Sequence, residues 1–300
     1  MANLKEIRGR IKSIKSTQQT TRAMKLVSAA KLRRAQDSTL QFRPYALKFK
    51  ELLSNLMQGQ GEDDTVSSPY VDDRAVENVL YVLITSNRGL AGAFNAAIFR
   101  EMTEHIQEHH PELLEQGNVH FLPIGKKGFE AIQRMAWPIV EDKNHDVFAD
   151  LNFQTVKEVA QTAMERFHDG LYDKVYIAFN EFKNVVTQVR RVEQFLPVEV
   201  AGEDTEENQA GAMEYIFEPD ADSIISNLLP SVLLNQFYRA VLESHASEHA
   251  ARMVAMENAT ENAQDLLDDL RLKYNKARQA AITKEILEIV SGADALEGAG

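Results

Sequence analysis

The chain is predicted to be an α/β protein: a long antiparallel coiled coil of its N- and C-terminal helices, with an α/β domain inserted between them. Three observations carry this. Both ends are nearly free of glycine and proline over helix-length stretches, and both hold apolar residues at 3–4 spacing. Between them, short apolar runs alternate with amphipathic segments. The expected segments are 1–58 for the N-terminal helix, 59–219 for the α/β domain with its linker and sheet edge, and 220–300 for the C-terminal helix and tip.

From Asn3 to about Leu56 there is one glycine, Gly9, and one proline, Pro44. Leu4, Ile7, Ile11 and Ile14 open a seam that continues through Gln18, Thr21, Lys25, Ser28, Leu32 and Ala35. The later positions are small or polar, so a partner helix must approach closely there. Pro44 is expected to bend or interrupt the helix. Its end is expected near Gly59-Gln60-Gly61, before the polar linker Glu62–Tyr70.

In the middle, Val79–Ile84 and Val119–Ile124 read as buried strands, and Lys174–Phe179 as a third. Helices are expected at Ala93–His109, Lys126–Met135 and Gln154–Phe167. This alternation predicts a Rossmann-like, largely parallel sheet covered on both faces. Val185–Val200 reads as a long antiparallel edge or hairpin strand. Glu203–Gly211 is a charged loop, and Met213–Phe217 a short strand.

Helical period resumes at Asp220, with Pro230 suited to a first turn. Met253, Met256, Thr260, Ala263, Leu267, Leu270, Tyr274, Ala277 and Ala281 keep a heptad spacing. Two such helices are expected to pair antiparallel, with Asp265, Asp268 and Asp269 facing N-terminal cations.

Charge is divided unequally. The first 36 residues hold ten cations and one anion, a balance of +9 on a chain of net −12, which leaves −21 on the other 264 residues. A basic rod on an acidic body implies partners with negative surface along the rod. No cysteine is present, which excludes disulfides, thiolate zinc sites and thiol nucleophiles. No apolar run approaches the ~18–20 residues that span a bilayer, so direct membrane insertion is not expected. The seam at the N-terminus is broken by charges, unlike a secretory signal, so the chain is expected to be soluble and not exported.

The motifs carry no chemistry of their own. His245-Ala-Ser-Glu248-His249 matches the H-x-x-E-H pattern of one zinc-enzyme class, with both imidazoles on one helix face. Only 51 residues follow to supply a third ligand, and no metal site is assigned. Gly89-Leu-Ala-Gly92 and Gly125-Lys-Lys-Gly128 sit where phosphate-binding turns sit but lack a full glycine fingerprint; both read as tight strand-to-helix turns. His105, His109 and His110 suit a helix C-terminus, where positive charge is favoured. No catalytic residue and no cofactor is assigned.

Long exact stretches carry a resemblance. They are Thr21-Arg-Ala-Met-Lys-Leu-Val-Ser-Ala-Ala-Lys31, Ser86-Asn-Arg-Gly-Leu-Ala-Gly-Ala-Phe-Asn95, Ala246–Met256, Asn258–Ala263, Tyr274–Glu285 and Glu288–Gly292. The chain resembles the gamma-subunit family of rotary ATP synthases over essentially its whole length. The resemblance implies a non-catalytic central stalk that couples ion flow through a membrane ring to ATP synthesis or hydrolysis in the catalytic head. It implies alpha and beta subunits, an epsilon-type subunit and the rotor ring as partners. It also implies a peripheral location on the cytoplasmic face of the bacterial plasma membrane. Competing readings are a Rossmann-like nucleotide-binding enzyme and a nucleic-acid-binding coiled coil; the acidic body argues against nucleic acid.

By position, the resemblance implies stator-contacting roles for Arg22, Met24, Lys25, Lys31, Arg33, Arg34, Arg252, Arg278, Gln279 and Thr283. Ile286, Ile289, Val290 and Leu296 match an apolar tip turning in a sleeve. Tyr215, Glu218 and Asp220 match a foot near the ring. Thr20 stands where many relatives carry an apolar residue, and Ala91 where a cysteine is common.

Overall fold

The computed structural model describes residues 4–58, 69–71, 74–140, 147–198 and 221–297, with side chains for all of these but 40, 43, 45–58, 221–227 and 292–297. The elements are α1 (Leu4–Gln58), β1 (Val79–Ile84), α2 (Phe94–His109), α3 (Pro111–Gln116), β2 (Val119–Ile124), α4 (Lys126–Arg134), α5 (Phe153–His168), β3 (Lys174–Phe182), β4 (Gln188–Leu196) and α6 (Ala221–Glu297). The expected strand at Met213–Phe217, the loop Glu203–Gly211 and the linker over 62–68 lie outside the described residues. The chain forms two compact units, one from residues up to Ser28 and from Met253 on, the other from Ala29 to Arg252.

In the first unit α1 and α6 pair antiparallel. Arg8 reaches Tyr274, Gln18 reaches Gln264, Thr21 reaches Thr260 and Lys25 reaches Glu257, so one helix ascends as the other descends. The two seams meet along this pairing. Ile7 and Thr21 are buried on α1, and Met256, Ala263, Leu267 and Leu270 on α6. Small and hydroxyl side chains at Thr21 and Thr260 permit a direct hydroxyl–hydroxyl bond of 2.8 Å. The expected cross-helix aspartates are a correction. Asp268 pairs with Arg271 at 2.8 Å and Asp269 with Lys273 at 2.6 Å, both on their own helix, because i,i+3 and i,i+4 neighbours are nearer.

In the second unit the sheet has the order β2-β1-β3-β4. β1 runs parallel to both β2 and β3, and β4 closes one edge antiparallel to β3. β1 is buried along its whole length, which is why it reads as a continuous apolar run rather than an alternating one. Leu80, Val82 and Ile84 face a core with α5 and with Leu229, Leu233 and Phe237 of α6. Val79, Tyr81 and Leu83 face the other core, with Ile98, Met102 and Ile106 of α2 and Ile132 of α4.

Four expectations are corrected. α1 runs through Pro44 without interruption. An interior proline costs about 3 kcal/mol; two residues before it Phe42 packs on Tyr238 edge-on at 5.1 Å, which helps to hold the helix there. Pro230 lies inside α6, not in its first turn, between the fully buried Leu229 and Leu233. The short helix α3 was not expected, although Pro111 at its start and Gly117 in the left-handed region at its end are its sequence signals. β3 extends to Phe182 and β4 is confined to Gln188–Leu196, because their pairing continues to Phe182↔Gln188.

Candidate functional site

The basic face of α1 is built from residues off the seam, with Lys25 on the seam beside it. Arg22, Lys31, Arg33 and Arg34 are exposed, and Met24 and Lys25 are half-buried. Lys25 Nζ lies 2.5 Å from Glu257 Oε1, so this cation is shared with α6. Beside it, Leu26 is 66 % and Val27 57 % exposed. Sequence reasoning missed this apolar pair; its signal is two large aliphatics off the 3–4 register on a charged face.

At the other end of the pair, Arg8 donates to the Tyr274 hydroxyl at 2.7 Å with its guanidinium over the ring. Four residues back on α1 lies Leu4, level in this register with Arg278. Beyond that point α6 has no described partner helix. Arg278, Gln279 and Thr283 are exposed. So are Ile282, Ile286, Leu287, Ile289 and Val290. Ile282, Ile286, Ile289 and Val290 fall at i, i+4, i+7 and i+8, one stripe of the helix. Leu296 belongs to the last turn of α6. Tyr215, Glu218 and Asp220 lie outside the described residues.

Arg252 is placed differently from the expectation. It is 7 % exposed, and its guanidinium is committed within the chain. Nη1 donates to the Gly89 carbonyl at 2.5 Å; Nη2 donates to the Arg88 carbonyl at 3.2 Å and pairs with Glu248. Burial against the turn after β1 commits both Nη atoms of this side chain to acceptors within the chain.

The two glycine turns are closed by the same few residues. The first three backbone N–H groups of α4, the ones an anion would need, already have acceptors. Lys126 N donates to Asn87 Oδ1 at 3.0 Å, Lys127 N to the Ser86 carbonyl at 3.0 Å and Gly128 N to Thr85 Oγ1 at 2.7 Å. Ser86 N donates to Asn95 Oδ1 of α2 at 2.9 Å. This arrangement builds a joint between elements, not a cradle for phosphate.

The histidines are packed rather than poised. His245 and His249 approach with their Nε2 atoms 3.1 Å apart, and Phe148 stacks on His245. Burial lowers His245 to about 4 and His249 to about 3, with the Lys31 cation adding to both. Burial pushes the Glu248 carboxyl up, opposed by Arg252. Among the described residues no group of three or more His, Asp or Glu is placed to hold a metal ion. His105 also departs from the expectation of a charged helix end. Its Nδ1 meets the Tyr81 hydroxyl at 2.9 Å, it stacks on His109, and burial lowers it to about 4. Desolvation there outweighs the attraction of the helix terminus.

No described helix is long and apolar enough to cross a membrane. The ATP synthase family model matches residues 3–296. The chain is 47% identical over 299 residues to the ATP synthase gamma chain of Cytophaga hutchinsonii, covering 99% of each. It is 48% identical over 302 residues to the ATP synthase gamma chain of Chlorobium phaeobacteroides, covering 99% of this chain and 100% of that one. Among solved structures it is similar to a chain of the Tetrahymena thermophila mitochondrial ATP synthase central stalk and c-ring. That match has 25% identity and a TM-score of 0.55, over 80% of this chain and 99% of the other. A chain of the Euglena gracilis mitochondrial ATP synthase assembly of OSCP, F1 and c-ring shares the fold at 22% identity. Its TM-score is 0.64, over 98% of this chain and 94% of the other.

Proposed function

Because the chain belongs to the ATP synthase gamma-chain family, we propose that it is the rotating shaft of the central stalk, doing mechanical work and no bond chemistry. The observation that carries this reading is the helix pair itself. Its seam is satisfied within the chain, while Arg22, Lys31, Arg33, Arg34, Leu26, Val27 and the apolar stripe beyond Arg278 face outward. A helix that buries one face and leaves exposed apolar residues at its free end is suited to turning inside a surrounding partner.

The partners on this reading are the alpha and beta subunits of the catalytic head, an epsilon-type subunit and the membrane rotor ring. Arg22, Met24, Lys25, Lys31, Arg33, Arg34, Arg278, Gln279 and Thr283 form the face toward the head. Ile286, Ile289, Val290 and Leu296 form the tip bearing, and Tyr215, Glu218 and Asp220 the foot toward the ring. The chain works as three segments, 1–58, 59–219 and 220–300. It sits peripherally on the cytoplasmic face of a bacterial plasma membrane, held there through the complex. The exposed cations give the mechanism its physical content. Acidic surfaces on the head attract the rod more strongly in some orientations than in others, so rotation changes the energy of each catalytic subunit in turn.

The test is reconstitution with matching alpha and beta subunits, reading mass and ATPase rate. One copy per three of each, with ATPase dependent on its presence, is the expected result. A folded chain that fails to assemble with them would sink the reading.

A further inference from the structure

The turn after β1 is the point where four elements of the second unit are tied together. Thr85, Ser86 and Asn87 accept the first three amides of α4, and Ser86 is fastened to Asn95 of α2. Ser86 Oγ also donates to the Arg88 carbonyl at 2.7 Å. From the other side Arg252 of α6 donates to the carbonyls of Arg88 and Gly89. Glu248, one turn earlier on α6, holds the same guanidinium. Leu90 is held at φ 66° and Gly92 at φ 59°, conformations a free turn would not keep for a leucine. Ser86, Glu248 and Arg252 are all buried.

A single guanidinium spanning three acceptors is a rigid connection, because its planar fork fixes direction as well as distance. We propose that Arg252, oriented by Glu248, is the positioning residue that latches helix α6 to the β1–α2 turn, so that the sheet turns with the helix instead of slipping against it. This rests on the shaft reading above. Apolar packing of α6 on the sheet resists separation but is weakly directional along the helix surface. The three charged or carbonyl acceptors supply the direction. Once the latch is weakened, twist applied through α6 is absorbed locally before it reaches β1, α2 and α4.

The experiment compares wild type with Arg252→Lys, which keeps the charge but loses the fork. Glu248→Gln is read in the same way if the first variant does not fold. Amide hydrogen exchange over residues 86–92 and 126–128 is measured in the full chain, and proton pumping against ATP hydrolysis in the assembled complex in vesicles. Exchange should rise ~10-fold or more, and pumping should be lost while hydrolysis is retained, at a temperature where the variant is fully folded. Faster exchange with unchanged pumping reduces Arg252 to a stabilising contact and overturns the proposal. Lost pumping with unchanged exchange means that Arg252 acts elsewhere, and overturns it equally. Failure of the wild-type chain to support ATPase in the complex rejects the shaft reading, and the latch with it, whatever the exchange shows.

Discussion

Gly125 lies so close to Thr85 that a Cβ built on it would stand 2.2 Å from the Thr85 carbonyl oxygen, and its φ of +98° is one that side chains resist. Both obstacles are backbone, so no rotamer change relieves them. Gly125→Ala is expected to lose about 2–4 kcal/mol, adding left-handed strain to overpacking. Urea unfolding checks this; an unchanged midpoint would contradict the close approach. Gly128→Ala meets the Thr85 hydroxyl at 2.8 Å and breaks the same joint.

In the helix pair, the Thr21 and Thr260 hydroxyls share one bond while each also lies near a carbonyl of its own helix. Valine at either position alone is expected to lose about 0.5–1.5 kcal/mol, and valine at both to be nearly neutral. A double-mutant cycle by chemical denaturation reads this directly. Strictly additive losses would mean that the two hydroxyls do not interact.

Stability should fall on mild acidification. The folded chain holds His249, 5 % exposed, neutral down to about 3, and His245 down to about 4, whereas the unfolded chain takes up those protons near 6.5. Folded values lowered in this way leave full stability above pH 6.5 and lose it progressively as pH falls toward 4. The slope is at most ~1.4 kcal/mol per pH unit for each fully buried histidine. Lys31 and Arg252 face this pair and oppose its protonation. Urea midpoints at pH 7, 6 and 5 should descend, and His249→Gln should flatten the descent.

Ile286→Ser with Ile289→Ser should leave the thermal midpoint of the isolated chain unchanged, since these side chains are 54 % and 67 % exposed. Assembly with alpha and beta subunits should weaken. A large loss of stability in the free chain would show that the stripe is packed intramolecularly.

Reversing Arg22, Lys31, Arg33 and Arg34 to glutamate one at a time should change the ATPase rate of the complex little, because exposed pairs contribute only ~0–1 kcal/mol each. All four together should impair it clearly, and raised salt should mimic the effect. A single reversal as damaging as the quadruple would replace the distributed face with one specific contact.

The sequence by itself determined the seams, the three parallel strands and the basic face. Those are properties of local spacing: an apolar residue every three or four positions has one way to be buried by a partner helix, and Val79–Ile84 one way to be buried on both sides. The tip at Ile286, Ile289, Val290 and Leu296 came from the family resemblance; the stripe that Ile282 opens appears only in the structure. What only the tertiary structure decided were matters of distance between remote residues. Arg252 reads as one more exposed cation of a helical rod until Gly89, 163 positions away, comes within hydrogen-bond reach. The carboxylates at Asp268 and Asp269 turn to their own helix because a neighbour three or four positions on is nearer than the opposing helix of the coil. Pro44 and Pro230 look like breaks in one dimension, yet packing on their flanks outweighs one missing hydrogen bond each. The glycine stretches read as tight turns from the sequence, but only the structure shows Thr85, Ser86 and Asn87 accepting the first amides of α4. Periodicity reports which face is apolar; it carries no information about which polar groups will meet, since that depends on the three-dimensional register of elements far apart in the chain.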